Sequence, residues 1–301
     1  MKPLVPQSPA GKLAIAVVTE PERAMPMPTG QREDAARNLL QTGADAGVRL
    51  VATRPEGELE RLLGQAWPFP SPFSVTVRTV PIADGGVDRV EARARRSLER
   101  MGLPRGEALL VSSADDLAGA EGRALWDRLL ALKDRGLFKR IGFCATVEDG
   151  PGLLARRFQP DLIQLPCNIL DQRPIQTGVL DDLAAQGVAL HLSAVFAHGL
   201  LFAGRDNLPP HLAEHGLALS RVRRRLAEWR VDPMQAALTY ALHLPQAEAV
   251  VASVASAAEL RAMVAAAHAP RPDLDWDALA IAEPAALTRE ALAAGRISSA
   301  A

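Results

Sequence analysis

The stretch Leu137-Phe138-Lys139-Arg140-Ile141-Gly142-Phe143-Cys144 and, one helix-length later, Pro160-Asp161-Leu162-Ile163-Gln164-Leu165-Pro166-Cys167-Asn168-Ile169-Leu170-Asp171 decides the fold. Each holds a short apolar, β-prone run, Arg140–Cys144 and Leu162–Leu165, with a helical segment between them. Outward from this pair the same rhythm reaches both ends of the chain. Further strands are expected at Leu13–Val18, Val48–Thr53, Phe73–Val80, Glu107–Ser112, Val188–Ser193 and Ala249–Ser253. Between them lie segments with apolar residues at three- and four-residue spacing, such as Glu121–Arg135 and Pro233–Leu244. Eight strands alternating with helices over about 250 residues predict an α/β fold, a closed (β/α)8 TIM barrel. A doubly wound open sheet is the alternative, but it usually carries a Gly-rich turn after its first strand. Here that strand runs into Glu20-Pro21-Glu22-Arg23, and G-x-G-x-x-G occurs nowhere.

Composition narrows the function. The 301 residues are 48% apolar and 23% charged, with 34 basic against 35 acidic residues and a formal charge of −1. Such a balance offers no general attraction to nucleic acid or an anionic membrane. Two cysteines cannot staple a scaffold and fit a reducing compartment. No signal-peptide core opens the chain and no run spans a bilayer, so a cytoplasmic location is the expectation. The chain is read as one barrel domain over 1–301, with 270–301 a tail or capping segment that Trp276 should help to dock. The sole tyrosine is Tyr240, in a helix after the seventh strand.

The middle of the chain resembles the aldo-keto reductase superfamily. The carrying residues are the two segments quoted above, together with Ser193-Ala194-Val195-Phe196-Ala197-His198-Gly199-Leu200-Leu201. The resemblance is strong over roughly 107–205 and extends more weakly through Gln31–Gly64 and 233–263. It implies a barrel of aldo-keto reductase type that holds a nicotinamide dinucleotide extended across its mouth. It also implies a cofactor-binding set of Cys144, Gln164, Asn168, Ser193, Gly199, Leu200 and Ser253. Gln164 matches the residue that bonds the nicotinamide carboxamide. Gly199 and Leu200 match backbone that approaches the pyrophosphate, with free N–H groups expected there.

The family's catalytic Asp-Tyr-Lys-His tetrad is absent. Ala52 stands for the aspartate, no tyrosine follows in Thr53-Arg54-Pro55-Glu56-Gly57, Arg78 stands for the lysine and Ser112 for the histidine. A carbonyl reduction needs an acid to protonate the developing alkoxide. Arginine does not give up its proton, serine is a poor acid, and Tyr240 is expected to face the core or a neighbouring helix. His198 is the one substitute donor in view. At the nucleotide turn, Ala255 and Met263 replace the family's 2′-phosphate arginine and adenine-binding asparagine, which favours NAD(H) over NADP(H).

The resemblance thus implies a degenerate reductase homologue acting as an NAD(H)-binding regulator through a protein partner. By analogy with a family member active in bacterial cell division, the partner would be FtsZ or a histidine kinase. The alternative is an NAD(P)H-dependent oxidoreductase acting on a sugar or small carbonyl with a non-standard proton donor.

Other features have plainer readings. Cys144 and Cys167 both fall at the expected mouth, as inert thiols rather than a redox pair. His211 and His215 sit at i, i+4 without a third ligand, as a solvated helix face. Arg221-Val222-Arg223-Arg224-Arg225 also reads as a solvated face, and Asp115-Asp116 as a cap.

Overall fold

The computed structural model describes residues 8–18, 29–203, 208, 210–282 and 284. Eight parallel strands close on themselves in chain order: β1 (Leu13–Val17), β2 (Leu50–Thr53), β3 (Ser74–Arg78), β4 (Gly106–Val111), β5 (Phe138–Cys144), β6 (Leu162–Pro166), β7 (Ala189–Ser193) and β8 (Ala247–Val254). The ladder from Leu13↔Val250 to Val17↔Val254 joins first strand to last, which excludes the open sheet. All eight expected strands are present, with ends moved by a residue or two: β1, β2, β3 and β7 are shorter than the apolar run, and β5, β6 and β8 pair beyond it. The outer layer holds α1 (Thr29–Asp45), α2 (Gly57–Ala66), α3 (Gly86–Arg100), α4 (Asp115–Ala118), α5 (Gly122–Asp134), α6 (Pro151–Phe158), α7 (Arg173–Gln176), α8 (Val179–Ala185), α9 (Gly216–Glu228), α10 (Pro233–Leu242) and α11 (Ala257–His268).

Alternation along each strand sorts side chains into two cores. Outward residues such as Val75, Val77, Ile141 and Phe143 pack under the helices, where Trp126 meets Phe143 and Phe158 at ring distances of 6.4 and 5.4 Å. Inward residues are small: Ala14, Ala52, Ala249 and Val251 form one interior cluster, and Ala108, Leu110 and Leu162 another. Small inward side chains leave room for larger polar ones at both ends of the barrel.

At the strand starts the interior is charged. Arg140 meets Glu248 at 2.7 Å and Glu107 at 3.4 Å, and His191 Nε2 lies 3.3 Å from Glu248. These residues line a cavity of about 390 Å³ with Lys12 at its rim. Burial would raise the Glu248 carboxyl, but the hydrogen bond from His191 and the Arg140 cation outweigh it and bring its pKa to about 2. Burial lowers the pKa of His191, which donates to Glu248 as the neutral ring.

Both shifts weaken folding in acid. The unfolded histidine takes up a proton near pH 6.5 while the folded one does not, and unfolded carboxylates protonate near pH 4.3 while Glu248 holds out to about 2. Urea stability should therefore fall as pH drops below about 6.5, and again below about 4.5. The variant Glu248→Gln should flatten the second decline; an unchanged slope would refute the assignment.

Within the described part of the tail, Trp276 packs against the barrel's outer layer. Its ring lies 5.4 Å from Tyr240, and its carbonyl accepts from Gln172 Nε2 at 2.6 Å. The Ile281 N–H donates to Leu170 O at 3.0 Å, and Arg225 donates to Ala278 O. The tail thus packs behind the loop that follows β6. No helix among the described residues is long and apolar enough to cross a membrane.

Candidate functional site at the barrel mouth

The inward alternation ends at the mouth in Arg78 (β3), Cys144 (β5), Gln164 (β6), Ser193 (β7) and Ser253 (β8), with Ser112 just past β4. Six of the positions expected from sequence therefore share one rim. Gln164 is 2% exposed, with Oε1 4.0 Å from Cys144 Sγ and no partner for Nε2. A buried amide N–H left unpaired costs about 1–3 kcal/mol, so its persistence marks a place for an acceptor. Burial pushes the Cys144 thiol up, opposed by the charge of Arg78, and it remains a thiol.

The positions that the resemblance aligns with the tetrad are placed as follows. Ala52 is buried in the interior beside Ala14 and Ala249. The Ser112 hydroxyl donates to the Thr79 carbonyl, and its N–H donates to Thr79 Oγ1 at 3.1 Å. Its single proton is thus committed to the backbone of the neighbouring strand's end. Arg78 is half-buried and donates to no acceptor among the described residues. Tyr240 lies on α10 in the outer layer, 4% exposed, with burial raising its pKa. The only tyrosine of the chain is on the far side of the sheet from the mouth.

Several expected contacts are corrected. Cys167 does not face the mouth: it is fully buried in the helix-side core, where burial and the charge of Asp171 push its thiol pKa up strongly. Asn168, placed by the resemblance in the cofactor-binding set, braces its own loop: its amide donates to Ala194 O and accepts from the N–H groups of Leu170 and Asp171. The N–H groups of Gly199 and Leu200 are not free; they donate to Phe196 O at 2.9 Å and Ala197 O at 3.1 Å. The cause is local. Ala194, Ala197 and His198 adopt left-handed φ of 53°, 47° and 56°, followed by Gly199 at 91°, which curls the loop upon itself. His198 is solvent-exposed on this curl, and space around Gly199 is open.

The turn after β8 leads into α11, capped by Ser256 Oγ, which accepts from the Glu259 N–H at 3.2 Å. Glu259 reaches back to accept from the Ala255 N–H at 2.7 Å. The arrangement is close to a capping box, with Glu259 on the N–H one residue before the cap, and Ser256-x-x-Glu259 was readable in the sequence. Met263, at the expected adenine position, is fully buried in the core.

Other sequence features resolve as follows. His215 is buried, not solvated, at 8% exposure, and Nε2 has no hydrogen-bond partner among the described residues. The side chain of His211 lies outside the described residues. Of the basic run, Arg223 and Arg225 turn back to donate to the carbonyls of Ala203 and Ala278, so only Arg221 and Arg224 are solvated. Asp115 opens α4 with its N–H on Ser113 Oγ, and Asp116 accepts weakly from the Ile82 N–H. The Pro-rich segment 25–28 and most of 204–210 lie outside the described residues. The Arg140–His191–Glu248 cluster had no signal in sequence, because its members are far apart in the chain.

The aldo/keto reductase family's sequence pattern matches residues 74–283, and the chain belongs to that family. Solved structures of similar fold include the aldo-keto reductase AKR11C1 from Bacillus halodurans in its holo form, 18% identical over 89% of this chain and 90% of that one, with a TM-score of 0.67. An aldo-keto reductase homologue from Pseudomonas aeruginosa is 20% identical over 85% and 89% of the two chains, with a TM-score of 0.62. No curated relative matches by sequence.

Proposed function

We propose that the mouth binds a nicotinamide dinucleotide, NAD(H) in preference to NADP(H), and that the protein is a regulator without the family's carbonyl reduction. The carrying observation is the position of the only tyrosine. With Tyr240 in the outer layer, no residue of that type can act as acid at the mouth, and Ser112 has committed its proton to Thr79.

The remaining mouth residues fit the cofactor. A reduced nicotinamide, when bound, supplies hydride. The unpaired Gln164 Nε2 would hold its carboxamide oxygen, which is the acceptor that amide lacks. Ser193 and Ser253 offer hydroxyls along the rim, while Gly199 offers open space rather than free donors. Glu259, with no arginine at position 255, repels a 2′-phosphate and so supports the preference for NAD(H). In this reading residues 270–301 cap the barrel, and nucleotide state is reported to a protein partner. FtsZ and a histidine kinase are the candidates by analogy alone.

Fluorescence titration with NADH and NADPH, followed by a panel of aldehydes, ketones and sugars, tests this. NADH should bind about tenfold tighter than NADPH, and no carbonyl should turn over. Gln164→Leu should weaken NADH binding about tenfold while raising the urea midpoint, because it removes both a ligand contact and an unpaired buried group. Failure of both nucleotides to bind would overturn the reading. The exposed position of His198 favours one rival, an oxidoreductase using that imidazole as donor; robust turnover abolished in His198→Ala would establish it.

A further inference from the structure

The barrel interior holds two arginines at opposite ends, and they differ in one respect. Arg140, at the strand starts, meets two carboxylates, Glu248 and Glu107. Arg78, at the mouth, is half-buried with no carboxylate within 4.0 Å among the described residues. Of the other half-buried arginines, Arg100 is met by Glu60, Arg173 by Asp171 and Glu148, and Arg223 by Ala203 O, while Arg54, just past β2, also has no partner among the described residues. A partly desolvated guanidinium without an acceptor costs free energy that a bound anion would recover.

The surroundings of Arg78 offer no substitute. Ala52 on the neighbouring strand has no polar atom. The Ser112 hydroxyl is held by Thr79, and Asp116 turns one oxygen to the Ile82 N–H while its other, buried oxygen has no partner and lies more than 4.0 Å from any arginine nitrogen among the described residues. Cys144, close enough for its thiol to feel the charge of Arg78, is a neutral donor. Gln164 presents a second unpaired donor on the same rim. Arg78 and Gln164 thus place two unengaged donors at a mouth whose inward side chains are small.

We propose that the mouth takes a small organic carboxylate, held by the fork of Arg78, beside the dinucleotide. The planar fork of Arg78 matches the two oxygens of a carboxylate. The inference rests on reading the mouth as a ligand site, though not on which nucleotide binds there.

Pyruvate and benzoate, each against its neutral amide at constant ionic strength, are titrated into the full chain by calorimetry and by ligand-observed NMR. This is done with and without NADH, whose own binding is followed by fluorescence. The carboxylates should bind about tenfold or more tighter than the amides. Arg78→Gln should abolish that difference and Arg78→Lys should retain part of it, both with unchanged circular dichroism. Equal binding of acid and amide, binding unchanged in Arg78→Gln, or no binding of either acid would overturn the proposal. NADH binding without carboxylate selectivity defeats this inference and leaves the nucleotide reading intact. Carboxylate selectivity without NADH binding does the reverse.

Discussion

Replacing Gly142 by alanine is expected to leave little folded protein. Gly142 sits in β5 opposite Leu110 and Leu162, and a Cβ there would lie 1.8 Å from the Leu162 carbonyl oxygen, 2.8 Å from its carbon and 3.0 Å from Leu110 Cδ2. The obstacle is backbone of the adjacent strand, so no rotamer change relieves it; β5 must move off β6 and open the barrel wall. Overpacking a core by one methyl commonly costs about 1–3 kcal/mol where side chains yield. Against immovable backbone we expect about 4 kcal/mol or more, comparable with the whole stability of many domains. Urea unfolding followed by circular dichroism reads the loss. Gly30→Ala is the control: in α1, with nothing within 4 Å of a new Cβ, it should be neutral or stabilise by about 0.5–1 kcal/mol. A Gly142→Ala midpoint matching that of wild type would show that the strands approach less closely than described.

Glu60→Ala should be nearly as damaging, for a different reason. Glu60 on α2 is 0% exposed, accepts from Ser97 Oγ at 2.5 Å and from Arg100 Nη1 at 3.0 Å, and so joins α2 to α3. Removing the carboxylate leaves a serine hydroxyl and a guanidinium without their acceptor, and breaking such buried pairs costs about 3–5 kcal/mol. Arg100 keeps 19% of its side chain exposed and can partly regain water, which points to the lower end of that range. The double variant Glu60→Leu with Arg100→Leu should recover most of the loss, since an apolar pair removes both charges together. Equal destabilisation of single and double variants would show that packing volume, and not the ion pair, holds the helices.

The strands were legible because each is an apolar run bounded by turn residues, a signal local to a few positions. The rim positions Arg78, Cys144 and Gln164 were read from the resemblance to aldo-keto reductases, and the alternation along β3, β5 and β6 agrees with it by turning all three inward. What was not legible depends on partners far away or on unusual backbone. Arg140 and Glu248 are 108 residues apart, and nothing near either announces the other. The engagement of Ser112 with Thr79 spans 33 residues. Alanine gives no warning of left-handed φ, so the closure of the Gly199 and Leu200 N–H groups could not be anticipated from Ala197 and His198. Cys167 was misplaced because it was read by its nearness to the strand end; alternation from the inward Gln164 gives it the outward, helix-side position it occupies.

The docked tail has a bearing on how the mouth breathes. Ile281 donates to Leu170, and Gln172 donates to the Trp276 carbonyl across 104 residues. Leu170 and Gln172 belong to the same short loop as Asn168, whose amide ties it to Ala194 beyond β7. A loop held by a few single hydrogen bonds opens with less free energy than a strand ladder. In hydrogen exchange the amides of Leu170, Asp171 and Ile281 should therefore exchange together, and faster than those of β6. The order of the rim between β6 and β7 would then depend on how firmly the segment from Trp276 to Ile281 stays in place.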